Sequence, residues 1–154
     1  MLNFKLNGED VSVDAPPEAS LLFVLTNDLD QHGLKFGCGR SQCGSCTVHI
    51  DGESVRSCVT QAQAAVGRSV TTLAGLLENG RPNRLQQAFI DEQAAQCGYC
   101  INGMIMEAQA LLDLNPTPTE SEIRNALDDN LCRCGTHNRI VRAVLRAASE
   151  MGRT

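Results

Sequence analysis

Polar and apolar residues alternate through "NFKLNGEDVSVD" on both sides of Asn7-Gly8. Alternation with a period of two marks strands with one buried face, and an Asn-Gly pair between them predicts a hairpin turn. "SLLFVLTNDL" then gathers Leu21 to Leu25 into one apolar run. It reads as a short helix, with Ser20 placed to cap it. "CTVHIDGESVRSCVT" predicts two more short strands around Asp51-Gly52. "RSVTTLAGLLENG" predicts a last strand and a short helix ending near Gly80.

From about Arg84 the period changes. "RLQQAFIDEQAAQ" is built of helix formers, and Met104, Ile105, Ala108, Leu111 and Leu112 recur at helical spacing up to "NPTPT", where prolines end the pattern. Thr119 with Glu122 has capping-box spacing and opens "ESEIRNALDDN". Ile140, Val141, Val144, Leu145 and Ala148 share one face of a final helix. These signals predict short helices in two hairpins. The reading is an α+β chain, strand-rich over residues 1–78 and helical over 84–154, with residues 79–83 of "ENGRPN" as linker. No repeat is visible in the sequence, yet each half carries four cysteines.

Composition narrows the function classes. The 154 residues are 42% hydrophobic and 20% charged, as in a soluble globular protein, but only 3% aromatic and without Trp. Two small cores lacking large side chains are marginal alone. Eight cysteines offset that deficit, whether as disulfides or as metal sites. The formal net charge is -5, and Arg139, Arg142, Arg146 and Arg153 alternate with apolar residues instead of forming a basic stripe. That argues against nucleic acid as a partner. "MLNFKLNGED" lacks the basic and long apolar regions of a signal peptide, and the apolar run "LLFVL" is too short to span a bilayer. The expectation is a cytoplasmic protein without membrane insertion, where reduced cysteines point to metal.

The cysteine spacing points to a particular metal. Cys38, Cys43 and Cys46 lie in "CGRSQCGSC", with Cys58 following at a distance. This C-x4-C-x2-C pattern with a remote fourth cysteine matches plant-type [2Fe-2S] ligation. Three thiolates can converge from one loop only if it wraps tightly, and Gly37, Gly39 and Gly44 are placed to supply positive φ angles. A nucleotide-binding glycine loop fails, because Gln42 stands where G-x-G-x-x-G needs glycine. Structural zinc also takes four cysteines, though usually as two C-x2-C-like pairs. The second quartet, Cys97, Cys100, Cys132 and Cys134, is written C-x2-C and C-x-C, each pair just before a predicted helix. Helix N-termini favour thiolates and anionic clusters. Zinc can accept this second pattern too, and the first quartet makes a second [2Fe-2S] cluster the economical choice.

"KFGCGRSQCGSCTVHIDGESVRSCVT", "QCGYCINGMIM" and "NLCRCGTHNRI" together resemble the small iron–sulfur subunit of the molybdenum hydroxylases, the xanthine dehydrogenase and aldehyde oxidoreductase family. The resemblance covers nearly the whole chain and leans toward the nicotinate dehydrogenase and isoquinoline oxidoreductase small subunits. It implies an N-terminal β-grasp ferredoxin-like domain, a C-terminal four-helix domain, and one [2Fe-2S] cluster in each. It also implies a large molybdopterin-binding partner, with Gln96 and Cys134 approaching the pterin, and an FAD subunit or cytochrome c domain as acceptor. Electrons would pass from molybdenum to the helical-domain cluster and then to the ferredoxin-like one. The family's Tyr after "CRCGT" is His137 in this chain, so contacts specific to that Tyr do not carry over and His137 is given no role. The chain shows no flavin, nicotinamide or ATP motif and no nucleophile or general-base constellation, so alone it should catalyse nothing. The reading is an electron-transfer subunit for hydroxylation of an N-heteroaromatic substrate, nicotinate-like first. The alternatives are an aldehyde- or carbon monoxide-oxidising complex with an FAD subunit, a stand-alone two-cluster ferredoxin, and a zinc-stapled interaction module.

Overall fold

In the computed structural model, which describes residues 1–152, Asn7 and Gly8 take φ angles of 52° and 89°. Two successive positive φ values are what a two-residue type I′ hairpin needs. The turn joins strand β1 (Leu2–Leu6) to β2 (Glu9–Val13) in antiparallel register, with Leu6 opposite Glu9. Asp51 and Gly52, at 51° and 86°, do the same for β3 (Thr47–Ile50) and β4 (Glu53–Arg56). Both hairpins lie where the sequence predicts them. Strand β5 (Ser69–Thr71) inserts between them, parallel to β1 and antiparallel to β3, giving the order β2-β1-β5-β3-β4.

Helix α1 (Leu21–Phe23) is one turn that widens into a π-helical turn over Val24–Asp28. Leu21, Leu22, Val24 and Leu25 bury against Phe4, Leu6, Val48, Ile50 and Val70. A mixed sheet grasping one short helix is the β-grasp arrangement of ferredoxin-like domains. Ser20 does not cap this helix through its side chain. The backbone N–H groups of Leu21 and Leu22 already donate to the carbonyls of Thr60 and Ser57, so the helix start has partners without it. The hydroxyl instead donates to the carbonyls of Ser57 and Cys58, at 3.1 and 3.2 Å. The short helix expected before Gly80 is a single 3-10 turn, Leu73–Leu76. A Cβ on Gly75 would lie 2.2 Å from Asn7 Oδ1, and Asn7 also accepts the Thr72 N–H, so this segment is tied to the first hairpin.

The second half folds as α2 (Arg84–Asp91), α3 (Ile101–Leu114), α4 (Glu120–Ala126) and α5 (His137–Met151). The Thr119–Glu122 capping box opens α4, and an equivalent Asn83–Gln86 box opens α2. Phe89, Met104, Leu112, Ile123, Ile140 and Val144 form its core. Among the described residues no helix is long and apolar enough to cross a membrane.

The two cores meet along α3. His49, buried in β3, donates its Nε2–H to the Met106 carbonyl at 2.7 Å. Arg56 on β4 pairs with Glu107 at 2.7 Å, and Ser54 donates to the same carboxylate. The ferredoxin-like sheet therefore holds the middle of α3, the helix that follows Cys97 and Cys100.

Candidate metal centres

Between Leu34 and β3 the chain has no regular structure and instead wraps its own cysteine sulfurs. The N–H groups of Arg40 and Gln42 donate to Cys38 Sγ at 3.4 and 3.2 Å, and that of Cys38 donates to Cys43 Sγ at 3.4 Å. A Cβ on Gly37 would sit 2.6 Å from Cys43 Sγ, and Gly39 and Gly44 have φ of 64° and 78°. Glycine is thus required for space at position 37 and for backbone conformation at 39 and 44. The expectation of positive φ at Gly37 is not met, since its φ is not in that range. Cys58 comes from the segment after β4 and donates its N–H to Cys46 Sγ at 3.5 Å. The Ser20 hydroxyl holds this segment through the Cys58 carbonyl.

The electrostatics follow from this geometry. Partial burial raises the Cys38 thiol, but the N–H groups of Arg40 and Gln42 outweigh it and leave the group at about 7. Burial pushes Cys46 up to about 11, opposed by the Cys58 N–H and reinforced by the Cys58 thiol. A sulfur that accepts backbone N–H bonds favours the thiolate, the form that ligates metal.

The second quartet gathers at two helix starts. Cys97 is exposed, and Cys100 is buried as the N-cap residue of α3. Cys132 and Cys134 are half-buried just before Thr136, the N-cap residue of α5. Cys97, Cys100 and Cys132 line a cleft of about 460 Å³ with Tyr99 and His137, and Ser45 reaches it from the first cysteine loop. Burial pushes Cys100 up to about 12, reinforced by Cys132. Cys132 opposes burial through the Thr136 hydroxyl, 3.3 Å from its sulfur, and the Thr136 backbone, and stands at about 7. Gln96 is exposed in the bend before Cys97.

None of the eight cysteines is in a disulfide. Among the described residues no three His, Cys, Asp or Glu side chains converge on one point. In the first quartet the cysteines meet in pairs, the Cys38 N–H on Cys43 Sγ and the Cys58 N–H on Cys46 Sγ, whereas in the second Cys100 faces both Cys132 and Cys97. A tetrahedral zinc site needs four ligands around a single ion. The pairwise approach in the first quartet suits a two-iron cluster, where each iron takes two protein ligands. The soft thiolate donor set, the N–H groups aimed at sulfur and the space kept open by Gly37 all fit that group.

The two cysteine segments also touch. The Leu131 N–H donates to the Cys43 carbonyl at 3.0 Å. Asn102 donates to the carbonyls of Ser45 and Thr47, at 2.9 and 3.1 Å, and Tyr99 donates its hydroxyl to the Phe36 carbonyl. Asn130, only 2% exposed, lies against Gly44, where a Cβ would be 2.2 Å from Asn130 Oδ1. Sequence reasoning leaves Tyr99 between packing and function and gives Asn102 and Asn130 no role. The available signal is polar side chains set among cysteines at the start of apolar helices.

Residues 4–74 match the 2Fe-2S iron-sulfur cluster binding domain family, and residues 72–145 match the [2Fe-2S] binding domain family. The chain is therefore an iron–sulfur protein of the [2Fe-2S] class. It is 57% identical over 147 residues to a subunit of nicotinate dehydrogenase from Pseudomonas putida, spanning 96% of this chain and 94% of the relative. It is 50% identical over 151 residues to the alpha subunit of isoquinoline 1-oxidoreductase from Brevundimonas diminuta, spanning 97% and 99%. In the crystal structure of quinoline 2-oxidoreductase from Pseudomonas putida 86, one chain superposes with a TM-score of 0.94 at 37% identity, over 99% of this chain and 94% of that one. The protein belongs to the small iron–sulfur subunits of the molybdenum hydroxylase family.

Proposed function

We propose that this subunit carries electrons for the hydroxylation of an N-heteroaromatic substrate, nicotinate-like first, within a complex whose large subunit holds a molybdopterin-type cofactor. Cys38, Cys43, Cys46 and Cys58 would hold one [2Fe-2S] cluster, and Cys97, Cys100, Cys132 and Cys134 the other. Each cluster, when bound, supplies one-electron carriage, which lets a pair of electrons leave molybdenum singly for an external acceptor such as an FAD subunit or cytochrome c domain. This chain's residues set the conditions. The N–H groups of Arg40 and Gln42 stabilise negative charge on Cys38. At the start of α5 the Thr136 hydroxyl and backbone do the same for Cys132. Gln96, exposed beside Cys97, offers amide donors and an acceptor to the edge of a pterin, and Cys134 would be the ligand nearest that cofactor.

The observation that carries this reading is the Leu131 N–H to Cys43 carbonyl hydrogen bond. It joins the residue before Cys132 directly to Cys43 of the other quartet, which supports two centres lying side by side. The names of the relatives support the substrate class, since nicotinate, isoquinoline and quinoline are all N-heteroaromatics.

The test is rapid-freeze electron paramagnetic resonance of the assembled complex mixed with nicotinate. Cys134→Ser should leave electrons stranded at molybdenum. Cys43→Ser should allow reduction of the helical-domain cluster while transfer to the acceptor fails. A folded Cys43→Ser complex whose helical-domain cluster stays oxidised, beside a Cys134→Ser complex that turns over normally, would reverse the proposed path.

A further inference from the structure

Two side chains cross from the second cysteine segment to the first, and the cysteine pattern requires neither. Tyr99 stands between Cys97 and Cys100 and donates its hydroxyl to the carbonyl of Phe36, two residues before Cys38. Asn102 follows Cys100 by two residues and donates to the carbonyls of Ser45 and Thr47, which flank Cys46. Asn102 is 2% exposed and its Oδ1 has no hydrogen-bond partner. A buried acceptor left without a partner is costly, so the two donations are what this side chain contributes. Together with the Leu131–Cys43 bond, the first loop is held before Cys38, at Cys43 and on both sides of Cys46. A loop held at points so spread along its length cannot pivot against α3.

We infer that Tyr99 and Asn102 are positioning residues that clamp the two cysteine loops and thereby set the spacing and electronic coupling of the two clusters. This rests on the two-cluster reading above. The hydroxyl of Tyr99 is well suited to a test. Tyr99 and Phe36 are 49% and 51% exposed, so loss of the hydroxyl leaves the Phe36 carbonyl to water and the fold intact. The Phe36 ring keeps its stack on Phe23, with centroids 5.8 Å apart.

The experiment compares the wild-type complex with Tyr99→Phe, Asn102→Leu and the double variant. Iron and acid-labile sulfide are measured first, then the paramagnetic resonance spectrum with one cluster reduced. The readouts are the magnetic splitting with both clusters reduced and the rate of electron exchange between clusters after a reducing pulse. The expected result is full iron content, unchanged single-cluster spectra, altered splitting and exchange slowed several-fold, with the double variant most affected. Unchanged splitting and exchange in an iron-replete Tyr99→Phe complex would overturn the inference, whether or not Asn102→Leu folds. A wild-type complex with iron for only one cluster would overturn the parent reading instead, before any variant is compared.

Discussion

A methyl group on Gly103 would lie 2.0 Å from the carbonyl oxygen of Gly44. The first turn of α3 and the first cysteine loop therefore touch backbone to backbone, and no side chain fits between them. Gly103→Ala should separate them at a cost of about 1 to 3 kcal/mol, the usual range for overpacking a tight contact. Denaturant unfolding of the iron-loaded chain checks this, and an unchanged midpoint would show that the contact is looser than described.

The Arg56–Glu107 pair joins β4 to α3 at 2.7 Å, with side chains only 14% and 20% exposed. Arg56 also donates to Thr47 Oγ1 at 2.7 Å. Removing one partner leaves the other charge largely away from water. Arg56→Ala should lower stability by about 2 to 3 kcal/mol. Arg56→Met with Glu107→Leu should lose less than either single change, and a double-mutant cycle measures the difference. Additive losses would mean that the pair contributes nothing as a pair.

Acid should weaken the fold through two exposed carboxylates. The Thr119 N–H, then its hydroxyl, holds Glu122 below its usual range, and the Ser69 N–H, then Arg68, does the same for Asp51. A carboxylate depressed in the folded state adds stability that is complete above its unfolded value. That stability is lost as pH falls through the folded one. Stability should therefore decline below about pH 4.5, where free carboxyls protonate. Glu122→Gln with Asp51→Asn should flatten that decline, which urea midpoints across the acid range would record. An acid limb as steep as the parent's would assign the loss to other groups.

Ser20 holds the segment that delivers Cys58, through the carbonyls of Ser57 and Cys58. Ser20→Ala should cost about 1 kcal/mol, typical of a hydrogen bond lost without a buried charge. It should also speed the release of iron from the first quartet to a chelator while leaving the second unaffected. Equal release from both quartets would show that the hydroxyl does not govern the position of Cys58.

Elements with local causes are legible in the sequence. Asn7-Gly8 and Asp51-Gly52 specify their turns by backbone preference alone, and Thr119-x-x-Glu122 specifies its cap. The Asn83–Gln86 box is equally local, but it is masked because "ENGRPN" reads as a linker that runs up to Asn83. The side-chain role of Ser20 is not legible. It depends on carbonyls more than thirty residues away, at Ser57 and Cys58. The cysteines declare themselves through spacing, whereas the contacts between quartets do not. Asn102, Asn130 and Tyr99 meet the first loop only after α3 docks on β3 and β4, and one sequence carries no sign of that docking.

The most direct measurement is the metal content of the complex isolated anaerobically from its native source. Two irons and two acid-labile sulfides are expected for each cysteine quartet, hence four of each per chain, together with molybdenum and negligible zinc. A preparation with zinc in place of iron in either quartet, or iron for only one cluster, would contradict the two-cluster assignment.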